Sequence, residues 1–313
     1  MSEVKEKIIA LQKYLDSRII GQKELVRKLV ITLLADGHAL LEGAPGLAKT
    51  KAIKTLSECI RATYNRIQFT PDVMPSDVTG FNIYNKETQK FEFKEGAAMC
   101  NLLLADEINR TSSKTQSALL EAMEEQQVSV DGRVYPLPEP FIVIATQNPV
   151  GSIGTQMLPE SQLDRFAMCL FMGYPQIEDE VMMLKGKHLK NPMDAVEPII
   201  NEKGLLYMQR EAAQVFVKDN VYAYVAEIAA ATRRHPDILL GLSPRGSVAI
   251  CNLAKANAYL AGREFVTPDD VRSILFDAVA HRLILRGGVQ DKRQQIKHIL
   301  FDIIRDVPVR KEV

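Results

Sequence analysis

The feature that most constrains the fold is a turn of small residues between an apolar run and a segment with helical periodicity. Its residues are Gly43, Ala44, Pro45, Gly46, Leu47, Ala48, Lys49 and Thr50. The apolar run His38–Leu41 precedes the turn, and Ile53, Leu56 and Ile60 follow it at helical spacing. A strand, a tight turn and a helix in this order form the context of a phosphate-binding loop. A glycine turn that merely ends in Lys-Thr is the alternative, and the elements on both sides argue against it.

The residue types of this loop suit a bound triphosphate. Glycine at positions 43 and 46 leaves room for backbone N–H groups to point at the phosphates. Lys49 is predicted to reach the β- and γ-phosphates, and the Thr50 hydroxyl to join the coordination of Mg²⁺. Ala48 stands where a glycine usually precedes the lysine, but a backbone in the α region accepts alanine without strain. We therefore predict a nucleotide site at residues 43–50.

Length, charge and cysteine usage limit the class of protein. The 313 residues suggest about two domains. Lysine plus arginine and aspartate plus glutamate balance at 39 each, so no nucleic-acid partner is expected. No run approaches the roughly 18 apolar residues of a membrane span, and Met1–Lys7 does not look like a signal peptide. The four cysteines are far apart and are expected to be reduced core thiols. These features predict a cytoplasmic protein.

Five short apolar runs predict the strands of a sheet. They are His38–Leu41, Asn65–Phe69, Leu102–Ala105, Phe141–Thr146 and Met168–Met172. Most are apolar throughout, which is typical of strands that helices cover on both faces. Helical segments alternate with them, so a mostly parallel α/β sheet is expected, with ligands at the carboxyl ends of its strands.

Beyond about Pro175 the pattern changes to helices, with no convincing strand among them. The predicted helices are Asp179–Leu189, Val221–Arg233, Ser247–Ala261, Pro268–Leu285 and Lys292–Arg305. The sequence therefore predicts an α/β domain over residues 1–177 and a smaller all-α domain over residues 178–313.

Two inserts in the first domain read as β-hairpins, because apolar and polar residues alternate on either side of a polar turn. The first consists of Phe81–Tyr84, the turn Asn85–Gln89 and Phe91–Phe93. The second consists of Gln127–Val130, the turn Asp131-Gly132 and Arg133–Tyr135. Asp-Gly is a strong signal for a two-residue hairpin turn. One insert precedes the third strand and one the fourth. These positions argue against the alternative that the hairpins are ordinary additions to the sheet without a role in function.

Polar residues that follow two of the strands are candidates for catalysis. Asp106 and Glu107 come directly after Leu102–Ala105, at the edge where the phosphate-binding loop also ends. Asp106 is predicted to hold Mg²⁺ through water, and Glu107 to act as the general base on the attacking water. Asn148 follows the fourth strand, where it could contact the γ-phosphate or orient the water, although Asn-Pro after a strand is usually a turn. Two lone arginines, Arg165 and Arg245, are by default surface or ion-paired residues.

Taken in order, these motifs resemble the MoxR family of AAA+ ATPases. The motifs are Ile19–Gln22, the loop 43–50, Gln68–Gly80, Asp106–Arg110, the strand before Asn148, Leu163–Phe166 and Leu242–Gly246. The loop form Gly-x-Pro-Gly-x-Ala-Lys-Thr is similar to that of this family, so Ala48 favours the assignment. The resemblance covers about residues 3 to 286.

The resemblance implies roles that spacing alone does not give. Ile20 and Gly21 would lie near the adenine of ATP, and Asn148 would sense the γ-phosphate. Arg165 would reach the nucleotide of a neighbouring subunit, and Arg245, the sensor of the helical lid, would act on its own nucleotide or on a neighbour's. The sheet order would be 5-1-4-3-2.

The same resemblance implies an assembly and a partner. The protein would form a homo-oligomer, a hexameric ring, that binds ATP and Mg²⁺ and remodels or activates a client or adaptor protein. The two hairpins would face the axial side of the ring and touch the client. A partner with a von Willebrand factor A domain, and a role in metal or cofactor insertion, are the expectations that this family suggests.

Two other functions are compatible with a phosphate-binding loop. A small-molecule kinase would not explain two hairpins, two late arginines and a separate helical domain. A nucleotide-dependent binding switch with slow hydrolysis would not need Glu107, Asn148 and Arg165 together. GTP is disfavoured because residues 85–88 lack the acid of an Asn-Lys-x-Asp motif.

Overall fold

The protein is described by a computed structural model over residues 2–43, 49–147, 158–186, 199–287 and 292–310. Its strands are β1 (Ala39–Gly43), β2 (Ile60–Arg61), β3 (Tyr64–Gln68), β4 (Gly80–Asn85), β5 (Lys90–Glu95), β6 (Leu102–Asp106), β7 (Gln127–Val130), β8 (Arg133–Pro136), β9 (Ile142–Gln147), β10 (Met168–Met172), β11 (Ile200–Asn201), β12 (Ile238–Leu240) and β13 (Ile284–Leu285). Its α-helices are α1 (Ser2–Arg18), α2 (Lys23–Leu34), α3 (Lys49–Cys59), α4 (Pro75–Thr79), α5 (Ser113–Glu125), α6 (Glu160–Leu163), α7 (Ile177–Gly186), α8 (Glu202–Ala213), α9 (Asp219–Arg234), α10 (Pro244–Leu260), α11 (Pro268–Val279) and α12 (Lys292–Asp306).

A five-stranded parallel sheet forms the centre of the α/β part. Its strand order is β10-β1-β9-β6-β3, which confirms the predicted order 5-1-4-3-2. Successive residues of a strand point to opposite faces, and here both faces are buried. Leu40 and Leu103 belong to one apolar core with α5, whereas Leu41 and Leu104 belong to a second core on the other face. The apolar runs in the sequence reflect this burial on both sides.

The two predicted hairpins are confirmed and lie against each other. Strands β4 and β5 pair antiparallel, as do β7 and β8. The rings of Phe93 and Tyr135 stack with centroids 3.9 Å apart, and the Asn82 amide donates to Asp131 at 2.8 Å. The two inserts therefore form one structural unit.

The second part of the chain is helical, with small strands that the sequence analysis did not predict. The second apolar core continues into α8–α12, and α10 packs against α2, α8, α9 and α11. Strands β12 and β13 pair antiparallel, and β11 pairs with β2. The expectation of no strand beyond Pro175 is therefore wrong in detail.

Helix boundaries in this part also differ from the prediction. Helix α11 begins after Thr267 as expected, with the Thr267 backbone N–H donating to Asp270 at 2.8 Å. It ends at Val279 rather than Leu285. Leu285 belongs to strand β13 and Leu283 directly precedes that strand, and both side chains are buried. The predicted end of α7 at Leu189 falls outside the described residues. The domain division after residue 177 stays a prediction.

Candidate functional site

The predicted phosphate-binding loop has a strand on one side and a helix on the other. Gly43 ends β1, and α3 begins at Lys49 with Thr50 in its first turn. Residues 44–48 lie outside the described chain, as do the side chains of Lys49 and Thr50. Gly43 also has a packing reason to be glycine, because a Cβ there would lie 2.5 Å from the Met172 carbonyl oxygen of β10.

The predicted acid pair lies at the carboxyl edge of the sheet, where β1 also ends. Asp106 is the last residue of β6 and is only 7% exposed. Its Oδ1 accepts a hydrogen bond from the Thr146 hydroxyl at 2.6 Å, and its Oδ2 pairs with Arg66 at 2.8 Å. The two donors, Thr146 and Arg66, fix the direction of this buried carboxylate.

Glu107 follows in a left-handed backbone conformation, with φ of +57°. Such values are uncommon for residues with a Cβ and often mark functional positions. The Glu107 N–H donates to the Thr146 hydroxyl at 2.9 Å. Its carboxylate accepts from Gln68 at 2.9 Å and from Arg110 at 2.7 Å. Thr146 thus orients both acids.

Thr146, Gln68 and Arg110 were not among the predicted site residues. Gln68 ends β3 and pairs in register with Asp106, so sheet register places it beside the acids. Asn148 lies outside the described residues. Its neighbour Gln147 ends β9 and donates to Glu42 of β1, at the same edge.

The segment predicted to lie near adenine borders a cavity at this edge. Gly21 follows Ile20 between α1 and α2, with a φ of +76°. A cavity of about 430 Å³ is lined by Gly21, Leu170, Phe171 and Asp179, among others. The Gln22 amide donates to the carbonyl of Gly173, just beyond the end of β10, at 3.2 Å. Gly21 is therefore next to space that a planar base could enter.

The two late arginines lie at the opposite end of the sheet. Arg165 precedes β10, whose first residue Met168 pairs with Ala39 at the start of β1. The five residues of β10 span about 16 Å at roughly 3.3 Å per residue. Arg245 is in the first turn of α10, beside Arg165 and away from Gly43.

Glu124, near the end of α5, joins these arginines. One carboxylate oxygen pairs with Arg165 at 2.8 Å, and the other pairs with Arg245. Hydrogen bonding by Arg245, together with the charge of both arginines, lowers the pKa of Glu124 below its usual value. Glu124 was not predicted, since its role depends on contacts far apart in the sequence.

A second set of contacts ties the lid to the residue before Arg165. The Ser243 hydroxyl donates to Asp164 at 3.0 Å and caps α10 by accepting from the Gly246 N–H. Buried Arg282 donates to Asp164 at 2.7 Å and to the Phe166 carbonyl at 2.8 Å. The backbones that carry Arg165 and Arg245 are therefore held together.

The side chains at the carboxyl edge match the ligands that Mg²⁺ prefers. Asp106 offers hard carboxylate oxygens, which Mg²⁺ prefers, and Mg²⁺ is commonly held by one or two carboxylates together with substrate phosphates. Among the described residues no cluster of three or more His, Cys, Asp and Glu side chains could hold a metal alone. Asp106 thus fits a cation that arrives with a nucleotide.

None of the helices in the described ranges is both long and apolar enough to cross a membrane.

Comparisons with known proteins agree with this arrangement. The family model described as "ATPase family associated with various cellular activities (AAA)" matches residues 38–168, and the AAA lid domain model matches residues 230–300. A solved structure of a candidate ATPase from Cytophaga hutchinsonii superposes with a TM-score of 0.90 at 36% identity, over 98% of this chain and 96% of that one.

Similar sequences identify the branch of this large family. The chain is 44% identical to the uncharacterized protein YeaC of Bacillus subtilis, over 95% of this chain and 93% of that protein. It is 41% identical to Chaperone MoxR1 of Mycobacterium tuberculosis, over 85% of this chain and 73% of that protein. Protein MoxR of Paracoccus denitrificans is 26% identical over 92% of this chain and 91% of its own length. The sheet order, the helical lid and these relatives together show that the chain belongs to the MoxR family of AAA+ ATPases.

Proposed function

We propose that the protein hydrolyses ATP between adjacent copies of itself and uses this reaction to remodel or activate a partner protein. One observation carries the proposal. Asp106 and Glu107 lie at the carboxyl edge of the sheet, and Arg165 and Arg245 lie at the opposite end. One chain thus carries two half-sites that do not meet within it. Head-to-tail contact of identical copies would join them, and such contacts form a ring when the rotation between copies closes.

The residues at the carboxyl edge suit the chemical step. Glu107 would accept a proton from the attacking water, and its donors Gln68 and Arg110 hold the carboxylate in place. Asp106 and Thr50 would hold Mg²⁺, which neutralises the phosphate charge. Lys49 would bind the β- and γ-phosphates, with the backbone of residues 43–48 around them, and Asn148 would contact the γ-phosphate. Ile20 and Gly21 would border the adenine.

The arginines of the next copy would complete the site. Negative charge develops on the transferred phosphoryl group, and an arginine supplied by a neighbour stabilises it. Arg165 and Arg245 share one carboxylate partner, which supports a joint role in the neighbour's site rather than a separate role for Arg245 in its own subunit.

The linked hairpins are the proposed client surface. Phe81, Ile83, Tyr84 and Phe91 of the first hairpin and Val134 of the second are exposed apolar side chains. Apolar groups of this kind favour contact with another protein. The relation to Chaperone MoxR1 supports a chaperone-like role. The family resemblance extends the proposal to hexameric rings, to partners with von Willebrand factor A domains and to metal or cofactor insertion.

Mixing variants that are inactive alone tests the shared site. Lys49→Ala should not bind ATP, and Arg165→Ala should bind ATP without hydrolysing it. Their mixture should regain ATPase activity at about one quarter of the interfaces if copies assemble at random. The matched control mixes Lys49→Ala with Glu107→Gln. Both defects then lie in the same half-site, so this mixture should stay inactive.

Two further mixtures separate the alternatives for Arg245. If Arg245 serves the neighbour, Lys49→Ala with Arg245→Ala should regain activity, and Arg165→Ala with Arg245→Ala should not. If Arg245 serves its own subunit, both results reverse. Co-purification of differently tagged variants verifies that the copies mix. An inactive mixture of Lys49→Ala and Arg165→Ala, with mixing verified, would rule out the proposed shared site.

A further inference from the structure

Glu124 lies between two arginines that come from different parts of the fold. Its side chain is 33% exposed, compared with 28% for Arg165 and 46% for Arg245. One guanidinium comes from the segment before β10 and the other from the first turn of α10. Two like charges that converge on one place repel each other, and an opposite charge between them offsets that repulsion.

The backbones below the two arginines are fixed independently of Glu124. Asp164 binds Ser243 and Arg282, which sets the distance between the core segment and α10. The long side chains of Arg165 and Arg245 are not set by these contacts. The Arg165 Nε is buried and makes no hydrogen bond within the described chain. The ion pair between a terminal nitrogen of Arg165 and Glu124, at 2.8 Å, therefore sets the direction of this guanidinium.

We propose that Glu124 is a positioning residue, which holds Arg165 and Arg245 as a pair so that both reach the nucleotide of the neighbouring copy. This inference rests on the function proposed above. Glu124 itself would not contact the nucleotide. Its effect would be on the step that needs the arginines, while nucleotide binding at the phosphate-binding loop of the same copy would not change.

Glu124→Gln tests the proposal, because the amide keeps the shape of the side chain but can accept a hydrogen bond at only one of its two positions. We expect kcat for ATP hydrolysis to fall about fivefold to tenfold, as two partly exposed ion pairs are weakened, with KM unchanged. Glu124→Asp retains the charge and should recover part of the loss. Glu125→Gln, the same charge change at the next position of α5, should behave like the wild type.

A double-mutant cycle with Arg245→Lys, which keeps the positive charge and so a measurable rate of hydrolysis, separates positioning from a general effect on folding. In the Arg245→Lys background one contact of Glu124 is already weakened, so Glu124→Gln should lower kcat by a smaller factor than in the wild type. An equal factor in both backgrounds would overturn the proposal, and so would an increase in activity, which would instead indicate that Glu124 restrains the arginines.

The variants also distinguish this inference from the proposed function. If Arg165→Ala and Arg245→Ala lose hydrolysis while Glu124→Gln keeps wild-type kcat, only the role of Glu124 is wrong. If both arginine variants hydrolyse ATP at the wild-type rate, the shared site itself is wrong.

Discussion

At the scale of single residues, the Thr146 hydroxyl organises the acid pair. It donates to Asp106 and accepts from the N–H of Glu107, so one side chain fixes the carboxylate of the first acid and the backbone of the second. The sequence predicted the acids because they end an apolar strand. It could not predict Thr146, Gln68 or Arg66, since their roles come from the parallel register of β9, β6 and β3.

Glu107→Gln should bind ATP and stop at that point, because an amide cannot accept the proton of the attacking water. Fluorescent-nucleotide titration should give an affinity close to wild type, and hydrolysis should fall by at least about a hundredfold. Size-exclusion chromatography with ATP should show a larger species than the nucleotide-free protein. Turnover at the wild-type rate would remove Glu107 as the base.

At the scale of elements, helix α5 links the three regions that the proposed function requires. It begins six residues after Glu107, carries Glu124 near its end and leads directly into β7 of the second hairpin. The second hairpin in turn stacks on the first through Tyr135 and Phe93. The hairpins were predictable from alternation and turn residues. Their contact was not, because it joins two exposed inserts across more than 40 residues of sequence.

The stacked pair predicts an energetic coupling between the hairpins. Phe93→Ala and Tyr135→Ala should each lower the free energy of unfolding, and their effects should be non-additive by about 0.5–1.5 kcal/mol, as for other aromatic pairs. Basal ATP hydrolysis should stay close to wild type, because neither ring contacts the acid pair. Urea unfolding of the four proteins of the cycle measures the coupling.

A matched control uses Tyr84, which contacts Phe91 within the first hairpin. Tyr84→Ala combined with Tyr135→Ala should give additive effects. Additive effects for Phe93 and Tyr135 as well would mean that the two hairpins are energetically independent.

At the scale of the whole molecule, the major features were predictable and the smallest were not. Buried strands such as β6 appear in the sequence as apolar runs, so the strands of the sheet were predicted correctly, whereas their order was predicted from the family resemblance. Strands β12 and β13 have three and two residues, too few to show a period. Helix α8 was not predicted. Helix α11 was predicted too long, because Leu283 and Leu285 continue its apolar pattern in a different backbone conformation.

Buried His38 predicts how stability depends on pH. Its Nδ1 accepts from the Val143 N–H at 3.0 Å, and its Nε2 donates to the Met123 carbonyl at 3.2 Å, which requires the neutral ring. Burial lowers its pKa from 6.5 to about 4. The unfolded chain therefore binds more protons between these values. The stability that the neutral His38 ring contributes is complete above about pH 6.5 and falls by up to about 3 kcal/mol as pH decreases to about 4.

Unfolding by urea across this pH range measures the effect. His38→Gln should be less stable at pH 7 but should show a weaker dependence on pH. His298→Gln, at an exposed position, should retain the wild-type slope. Comparing the slopes separates the effect of His38 from that of the carboxyl groups. Burial raises the pKa of one of these, Asp36. Its contribution to stability therefore falls as pH rises, which is opposite in sign to that of His38. An unchanged slope in His38→Gln would contradict the prediction.

The separation of Glu107 from Arg165 along the sheet has a consequence for how a cell would use such a protein. With the proposed base at one end of each copy and the proposed arginine at the other, an isolated copy would bind ATP without hydrolysing it. Consumption would begin only where copies are crowded enough to meet head to tail. The local abundance of the protein would then act as its own signal, and the reaction rate would rise more steeply than the amount of protein present.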